Sequence, residues 1–395
     1  MGLTKKQKQN QAEILDEIYV KGPISRIDIA NETGITPATV SSLTNQLIDQ
    51  ALIEEIGVDS KTSGSGRKKI LLDIQSNHSY FIGIELSEKF ISFCLSDNKG
   101  KIISEEVLAI SFEKRHKQLT AEKVVDKLKH FMKENNSYEI SGIGVALPGH
   151  YHKKEQQFLT NNPIWKKFDL NMLEESFEQT MHFENNVKCM LLYERFFKND
   201  KSDDNFIFFH ISRGIFCASI YEGELYAPNN QVVGEVGHTI LQLDGTLCEC
   251  GNRGCLQTFA SESWLIKKAQ TIFDHLESSF LHQIVKTRED ITLDTLLVAY
   301  KLGDKAIIEL LQNAIKAIST SITNLTMSVD SQAVYVHGRI FNDPALSHLL
   351  NEYMSQRVPL FESENPQEIR VVPYNEINGA LGASVLSIAK TYTES

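Results

Sequence analysis

Hydrophobic residues recur at helical spacing near the start of the chain, and turn-forming residues interrupt them. At residues 5–19 apolar side chains repeat every three or four positions, which predicts a helix that a Gly-Pro pair ends. A short second segment stops at Gly34. Thr36 then precedes Pro37, the order of an N-cap residue and a first helical position. The pattern predicts a helix, a short helix, a tight turn and a third helix.

The third predicted helix has one apolar and one polar face. Val40, Leu43 and Leu47 share the inward face. A merely solvated helix would usually carry Lys and Glu on its other face, but this one carries small side chains that can approach base edges: Thr36, Ala38, Thr39, Ser42 and Asn45. The order of elements is that of a helix-turn-helix, so these residues are predicted to contact DNA, with a plain three-helix bundle as the alternative.

A polar segment between two short apolar runs follows this helix. Residues 52–53 and 70–72 predict two strands, and the segment between them is rich in Ser, Gly and Lys. Such a hairpin is a wing, which makes residues 1–73 a winged helix-turn-helix. Arg67 and Lys68 are predicted to reach DNA at the wing, Arg67 in a narrow minor groove, unless they are only solvated linker charges.

The pattern becomes mixed from about residue 77. Strand-like apolar runs occur at residues 80–86, 91–95, 103–110, 143–147, 206–211, 215–220 and 333–337. Helical stretches are predicted at residues 121–133, 170–177, 188–197, 261–276 and, as one long region, 293–330. Alternation of this kind predicts an α/β protein.

Composition narrows the class of protein. The 395 residues are 42% apolar, lack a signal-like segment at the start, and contain no apolar run long enough to span a bilayer. The expectation is therefore a cytoplasmic protein with no membrane partner. The net charge is −11, but the first seventy residues hold nine Lys or Arg and nine Asp or Glu, so the negative charge lies entirely beyond them. Only the neutral head is predicted to approach phosphate.

Three cysteines lie close together in the second half of the chain. Cys248, Cys250 and Cys255 have C-x-C-x4-C spacing within a glycine-rich loop, and His238 lies ten residues earlier. Three thiolates and an imidazole make a closed tetrahedral site, so the sequence predicts one structural zinc per chain. Buried free thiols are the alternative, and that interpretation is preferred for Cys94, Cys189 and Cys217.

The segment around these residues, GEVGHTILQLDGTLCECGNRGCLQTFAS, resembles the signature of the ROK family of repressors and sugar kinases. The resemblance implies an actin-like (ribonuclease H-like), two-lobed sugar kinase fold, preceded in the repressor branch by a winged helix-turn-helix. The implied domains are 1–73 for DNA binding, 77–195 with 375–395 as the first lobe, and 196–374 as the second lobe with the zinc loop and a dimerisation surface.

Against the kinases of that family, three motifs are altered. The Asp that acts as general base is Asn186, and an amide cannot take up a proton from a sugar hydroxyl. The glycine-rich phosphate loop is replaced by residues 85–89, which contain no glycine and end in Glu88-Lys89. A second phosphate-contacting turn is Ser212-Arg213-Gly214. These changes predict that the chain is not an enzyme and has no catalytic residues.

The sugar-contacting positions are better kept. By resemblance, the effector is expected to meet side chains with hydrogen-bonding oxygen or nitrogen atoms, namely Asn162, Asn185, Asn186, Glu235, His238 and Gln257. For Asn185 alone, a turn-forming amide is the alternative. Because Asn186 and Gln257 replace carboxylates, either a neutral sugar or a sugar phosphate is expected, and Arg213 is a candidate partner for an anionic group.

These features together predict a sugar-responsive transcriptional repressor. It is expected to bind double-stranded operator DNA as a homodimer, because two-fold symmetry matches a pseudo-palindromic site, with a tetramer as the alternative. An effector between the lobes is expected to change the spacing or freedom of the DNA-binding heads. Two alternatives are a ROK sugar kinase with an accessory DNA-binding domain, and a repressor controlled by a protein partner.

Overall fold

Helices and strands alternate along the whole chain. The structure is a computed structural model and describes residues 4–58, 69–111, 115–152, 155, 157–160, 162–198, 204–356 and 367–394. The helices are α1 (Lys5–Lys21), α2 (Arg26–Thr33), α3 (Pro37–Asp49), α4 (Arg115–Gln118), α5 (Ala121–Glu134), α6 (Leu170–Glu175), α7 (Asn186–Tyr193), α8 (Gln257–Ala260), α9 (Glu262–His275), α10 (Leu281–Ile284), α11 (Leu293–Leu302), α12 (Lys305–Thr326), α13 (Pro344–Ser355) and α14 (Asn378–Tyr392). The strands are β1 (Ile24–Ser25), β2 (Ile53–Val58), β3 (Ile70–Ile74), β4 (Tyr80–Leu86), β5 (Phe90–Asp97), β6 (Ile102–Ala109), β7 (Ile140–Leu147), β8 (His150–His152), β9 (Gln157–Leu159), β10 (Met181–Asn185), β11 (Phe206–Ile211), β12 (Ile215–Tyr221), β13 (Glu224–Leu225), β14 (Ala333–His337) and β15 (Glu368–Val372).

The first three helices begin where short polar residues can cap them. Thr4, Ser25 and Thr36 each accept a hydrogen bond from the backbone N–H three residues further on, which satisfies a donor that the helix itself leaves unpaired. Gly34, with a φ of 67°, ends α2 and makes the tight turn into α3. The predicted helix-turn-helix is confirmed.

A small antiparallel sheet of order β1-β3-β2 follows the helices. Its strands contain the two predicted apolar runs and are longer than predicted. Leu72 and Ile74 of β3 are buried and join the core of the helices. The N-terminal segment therefore has the fold of a winged helix-turn-helix. Residues 59–68, and with them the predicted contacts Arg67 and Lys68, lie outside the described residues.

The chain divides into two compact units, residues 1–202 with 376–395 and residues 203–375. Each contains a five-stranded mixed sheet, of order β10-β7-β4-β5-β6 in the first unit and β13-β12-β11-β14-β15 in the second. This is the predicted actin-like α/β fold. The further division of the first unit into a DNA-binding domain and a lobe stays a prediction.

In the first unit, α14 packs against the central strands at unusually close range. A Cβ atom at Gly83 or Gly144 would lie 1.7 Å from the carbonyl oxygen of Ala380 or Ala383 respectively, so only glycine permits this approach. Most strand residues of β4, β5 and β7 are buried. The unit is a tightly packed block around the sheet.

Two helical predictions need correction. The predicted long helical region at residues 293–330 is two helices, because Gly303 adopts a φ of 89° and ends α11. The predicted helix at residues 188–197 begins two residues earlier, at Asn186, and its last part, Glu194–Lys198, is a π-helical turn. Within the described residues we find no helix of the length and apolar content that crossing a membrane demands.

Candidate functional site

The polar face of α3 is accessible. Val40, Leu43 and Leu47 are at most 2% exposed and hold the helix against its neighbours. Of the predicted DNA contacts on this helix, Thr39 is half-buried and the others, Thr36, Ala38, Ser42 and Asn45, are exposed. Hence the structure brings the predicted contacts together on one surface.

Arg26, which the sequence analysis did not single out, lies beside this face. Its guanidinium donates to the Asn45 amide oxygen at 3.2 Å and to the Thr44 hydroxyl at 3.0 Å, and it pairs with Glu55 at 2.9 Å. Arg26 thereby connects α2, α3 and β2 at the edge of the exposed face of α3. Its position as the first residue of a short helix gave no signal of this role.

Asn185 joins a strand to a helix. It ends β10 and caps α7, where its Oδ1 accepts from the backbone N–H groups of Val187 (2.9 Å) and Lys188 (3.4 Å). Its Nδ2 donates to the Gly149 carbonyl at 3.1 Å. The alternative of a turn-forming amide is thus what the geometry displays, and one hydrogen of its NH₂ group remains for a ligand.

Asn186 faces the segment that replaces the phosphate loop. Its Nδ2 donates to Glu85 Oε1 at 3.3 Å, and Glu85 is only 6% exposed. Burial raises the pKa of Glu85 to about 7, although hydrogen bonds from Asn186 and from the Gly379 N–H at the start of α14 oppose that rise. A kinase-like Asp in place of Asn186 would set two carboxyl groups against each other.

Asn162 is also occupied by its own chain. Its Oδ1 accepts from the Ile164 N–H at 3.0 Å, which makes a local turn, and its Nδ2 donates to Glu88. Glu88 therefore meets a side chain of the predicted effector set. Both polar atoms of Asn162 stabilise this loop.

The predicted metal ligands converge in the second unit. The ligand atoms of His238, Cys248, Cys250 and Cys255 all lie within 4.8 Å of one another. His238 Nδ1 is 3.6 Å from Cys248 Sγ, and Cys250 Sγ is 3.6 Å from Cys255 Sγ. Burial raises the pKa of the Cys255 thiol to about 12. The cluster has the donors and the spacing to hold a metal ion, and the ion would have to displace thiol protons.

His238 has two different neighbours. While its Nδ1 faces the thiols, its Nε2 is 3.9 Å from a carboxylate oxygen of Glu235. A metal-bound imidazole commonly has a carboxylate at its other nitrogen, which fixes the ring. The structure thus places His238 between the three cysteines and Glu235, while its predicted contact with the effector stays a prediction.

Gln257 lies against the same loop. It is 4% exposed, opens α8 two residues after Cys255, and donates through Nε2 to Glu249. Its Oε1 is so close to Gly237 that a Cβ atom there would lie 3.2 Å away. A Cβ atom at Gly214 would lie 3.5 Å away, which places the Ser212-Arg213-Gly214 turn near this amide. Arg213 itself is exposed.

Comparison with known proteins gives this geometry a context. Residues 81–390 match the model of the ROK family. The xylose repressor of Bacillus subtilis (strain 168) is 30% identical over 356 residues, 89% of this chain and 88% of the repressor. A crystal structure of a ROK family transcriptional regulator, a homolog of the E. coli MLC protein, matches with a TM-score of 0.77 at 20% identity, over 98% of this chain and 97% of that one.

The glucokinase structure from Streptomyces griseus, in complex with glucose and AMPPNP, is similar in fold to most of this chain. It matches with a TM-score of 0.65 at 19% identity and covers 78% of this chain but 99% of its own. The part of our chain without a counterpart in this kinase is therefore about a fifth. The family match over residues 81–390 and the likeness to the Bacillus repressor along nearly the full length lead to one conclusion: the chain belongs to the ROK family.

Proposed function

We propose that this chain represses transcription by binding operator DNA through α3 and the wing, and that a sugar bound by its ROK domain relieves the repression. The chain is a sugar-responsive transcriptional repressor and not an enzyme. The observation that carries the DNA-binding half is the exposed face of small polar side chains on α3, with Arg26 at its edge. Small polar side chains can approach base edges. A helix face that only contacts solvent would usually carry Lys and Glu instead.

Loss of phosphoryl transfer follows from residues of the first unit. Asn186 cannot act as a base, and it is bonded to Glu85, a buried carboxyl in the segment that replaces the glycine-rich loop. Glu88, in place of a loop glycine, sets a negative charge against a nucleotide phosphate, and no glycine in residues 85–89 lets the backbone approach one.

The effector is a sugar or a sugar phosphate. Glu235 and Gln257 suit paired hydroxyl groups, and the remaining hydrogen of the Asn185 amide suits a hydroxyl oxygen. Arg213, exposed on the turn beside Gln257, suits an anionic group. In this proposal a phosphorylated sugar pairs with Arg213, and a neutral sugar leaves it in solvent.

The metal is zinc, one per chain. Zinc–sulfur bonds of about 2.3 Å at tetrahedral angles separate two sulfurs by about 3.8 Å, close to the 3.6 Å between Cys250 and Cys255. His238, Cys248, Cys250 and Cys255 would hold the ion, which stabilises the loop carrying Glu249 and thereby orients Gln257.

The repressor is a homodimer through its second unit. A groove there is lined by Leu241, Phe259, Lys268, Ile272, Leu310 and Lys316, among others. Beside it, at the tip of the zinc loop, Leu243 is 84% exposed and is followed by the exposed Asp244. A second copy would seat Leu243 on the apolar floor and Asp244 near the lysines, and two-fold symmetry would repeat the contact.

A two-stage binding experiment tests the function. The full chain is used to select binding sites from a random duplex library, and the selected duplex is titrated with and without neutral, N-acetylated and phosphorylated sugars. We expect selective binding to a pseudo-palindromic site and release by one class of sugar. Failure to enrich any duplex would contradict DNA binding, and turnover of ATP with a sugar would restore the kinase alternative.

A further inference from the structure

A physical connection runs from the predicted effector residue Asn185 to the DNA-binding head, all within the first unit. Asn185 caps α7 through its Oδ1. A sugar hydroxyl that accepts the remaining amide hydrogen pulls on the same side chain that holds the first turn of the helix, so its binding bears on the cap. Effector binding therefore acts on the N-terminus of α7.

α7 transmits displacement because it is packed on all sides. Residues 187–191 are buried. At Gly382 of α14, an added Cβ atom would lie 2.5 Å from the Cys189 carbonyl, so the two helices touch through their backbones. Lys188 lies 3.7 Å from Glu184, and both are nearly buried. A helix in such a setting moves as a body rather than by bending.

The far end of α7 is the π-helical turn Glu194–Lys198, and this turn touches α1 of the head. Arg195 donates from both terminal nitrogens to the Asp16 carboxylate, at 2.8 and 2.7 Å. The ring of Phe196 stacks on Tyr19 at 5.2 Å, and Phe197 meets the same ring edge-on at 6.0 Å. A two-pronged, half-buried ion pair and an aromatic stack fix one rotational setting of the turn against α1.

A π-helical turn is a segment that can change its conformation and its contacts more readily than an α-helical turn. It holds an extra residue compared with an α-helical turn, is intrinsically less stable, and is frequently found at functional sites. We propose that Glu194–Lys198 couples the two sites: effector binding at Asn185 shifts α7, the turn changes its hold on Asp16 and Tyr19, and the head leaves its DNA-binding position. This inference rests on the proposed function and names the element that regulates it.

The test measures coupling apart from binding. Three quantities are determined on the full chain: the operator Kd, the effector Kd, and the factor by which saturating effector raises the operator Kd. Arg195→Lys keeps the charge but removes the two-pronged geometry, and Asp16→Asn keeps the shape but removes the charge. We expect both variants to retain each separate Kd within about threefold and to reduce the coupling factor at least about fivefold.

Controls separate a failed relay from a failed function. Arg339→Lys disrupts an Arg–Asp contact of the second unit, with Asp294 at 2.7 Å, and should leave the coupling factor unchanged. The double variant Arg195→Lys with Asp16→Asn should lose no more coupling than either single variant, because both remove one interaction. Wild-type coupling in both single variants would overturn the relay. If wild-type chain binds no sugar or no DNA, the proposed function itself fails.

Discussion

At the scale of single residues, the buried carboxyl group of Glu85 and its partner Asn186 carry the main chemical difference from a kinase site. The Glu85 carboxyl group is buried beside Asn186 and the first turn of α14, in the segment that stands where family kinases hold phosphate. Because an amide at position 186 donates to it, the pair is compatible with either protonation state of Glu85. The residue that removes the base thus also satisfies a carboxyl that would otherwise be costly to bury.

The first prediction concerns the pH dependence of folding. Burial raises the Glu85 pKa from its ordinary 4.5 to about 7, so the folded state holds this proton more tightly than the unfolded chain. The stabilising contribution is therefore complete below about pH 4.5 and is lost as the pH rises through 7. Between pH 4.5 and 8 the wild type should lose roughly 3 kcal/mol of unfolding free energy relative to Glu85→Gln.

Urea unfolding of both proteins at intervals across this pH range measures the difference. Glu224→Gln is the control, because Glu224 is exposed and its variant should follow the wild-type profile. Parallel profiles for wild type and Glu85→Gln would show that folding leaves the pKa of Glu85 unchanged, which contradicts the prediction.

At the scale of elements, the loop of residues 238–255, which carries the three cysteines and His238, has little apolar core of its own. Isolated bridges join Ile240 to Cys255 and Leu247 to Arg253, and Leu243 and Leu247 are exposed. Gly254, with a φ of 69°, passes so close to Gln242 that any side chain would collide with its carbonyl. A bound ion would supply the cross-link that packing does not.

The second prediction removes one metal ligand. Wild-type chain prepared without chelator should contain one zinc per chain by mass spectrometry, and Cys250→Ser should weaken zinc binding by more than about a hundredfold. Its thermal unfolding should begin at a lower temperature than that of the wild type, since the loop loses its cross-link. Cys217→Ala, which changes a buried thiol outside the cluster, should keep its zinc. Metal-free wild type would refute the zinc assignment.

The third prediction separates base contacts from backbone contacts on DNA. Asn45→Ala and Ser42→Ala should each weaken binding to the selected duplex by about 1–2 kcal/mol and leave the salt dependence unchanged. Arg67→Ala should instead lower the slope of log Kd against log salt by about one. Ser278→Ala, an exposed serine of the second unit, is the control. Equal losses on selected and random duplexes for Asn45→Ala would argue against base reading.

Sequence patterns predicted those elements whose cause is local. Thr36 and Pro37 indicated the start of α3, and β4, β11 and β14 have the same bounds as the predicted apolar runs. Elements held by their neighbours were missed, such as α14, whose faces are all buried and show no amphipathic period. The cap made by Asn185 is local and matches the turn-forming amide that the sequence offered as an alternative, whereas the π-helical turn packs on α1, a contact that no local pattern encodes. For the predicted metal ligands, the spacing of the three cysteines and His238 was enough to predict that they lie close together.

For the whole molecule, the proposed dimer determines how two heads address one operator. The fourth prediction replaces Leu243, the side chain that the proposed contact buries in the groove. Burying a leucine contributes about 1.5–3 kcal/mol, and an isologous dimer buries it twice, so Leu243→Ser should weaken dimerisation by a hundredfold or more, on the order of 3–6 kcal/mol. Sedimentation velocity over a range of concentrations measures this.

Leu302→Ser is the matched control, since Leu302 is also exposed in the second unit but lies outside the groove lining. Because Leu243 is 84% exposed, its replacement should leave the folding of the subunit nearly unchanged. An unaltered dimer in the Leu243 variant would move the interface elsewhere.

The DNA-binding head shares its apolar core with the rest of the first unit. A single apolar cluster contains Ile18 and Tyr19 of α1 together with Phe81, Phe196 and Val385 of the body. The DNA-binding domain of such a regulator cannot simply be joined to another sensor domain. Cut at residue 73, it would expose the apolar residues of this shared core, and a foreign sensor would not supply the side chains that cover them. Engineers who want this head to answer to another metabolite must therefore transplant the π-helical turn and the part of α14 around Val385 with it, or alter the proposed effector-binding residues in place.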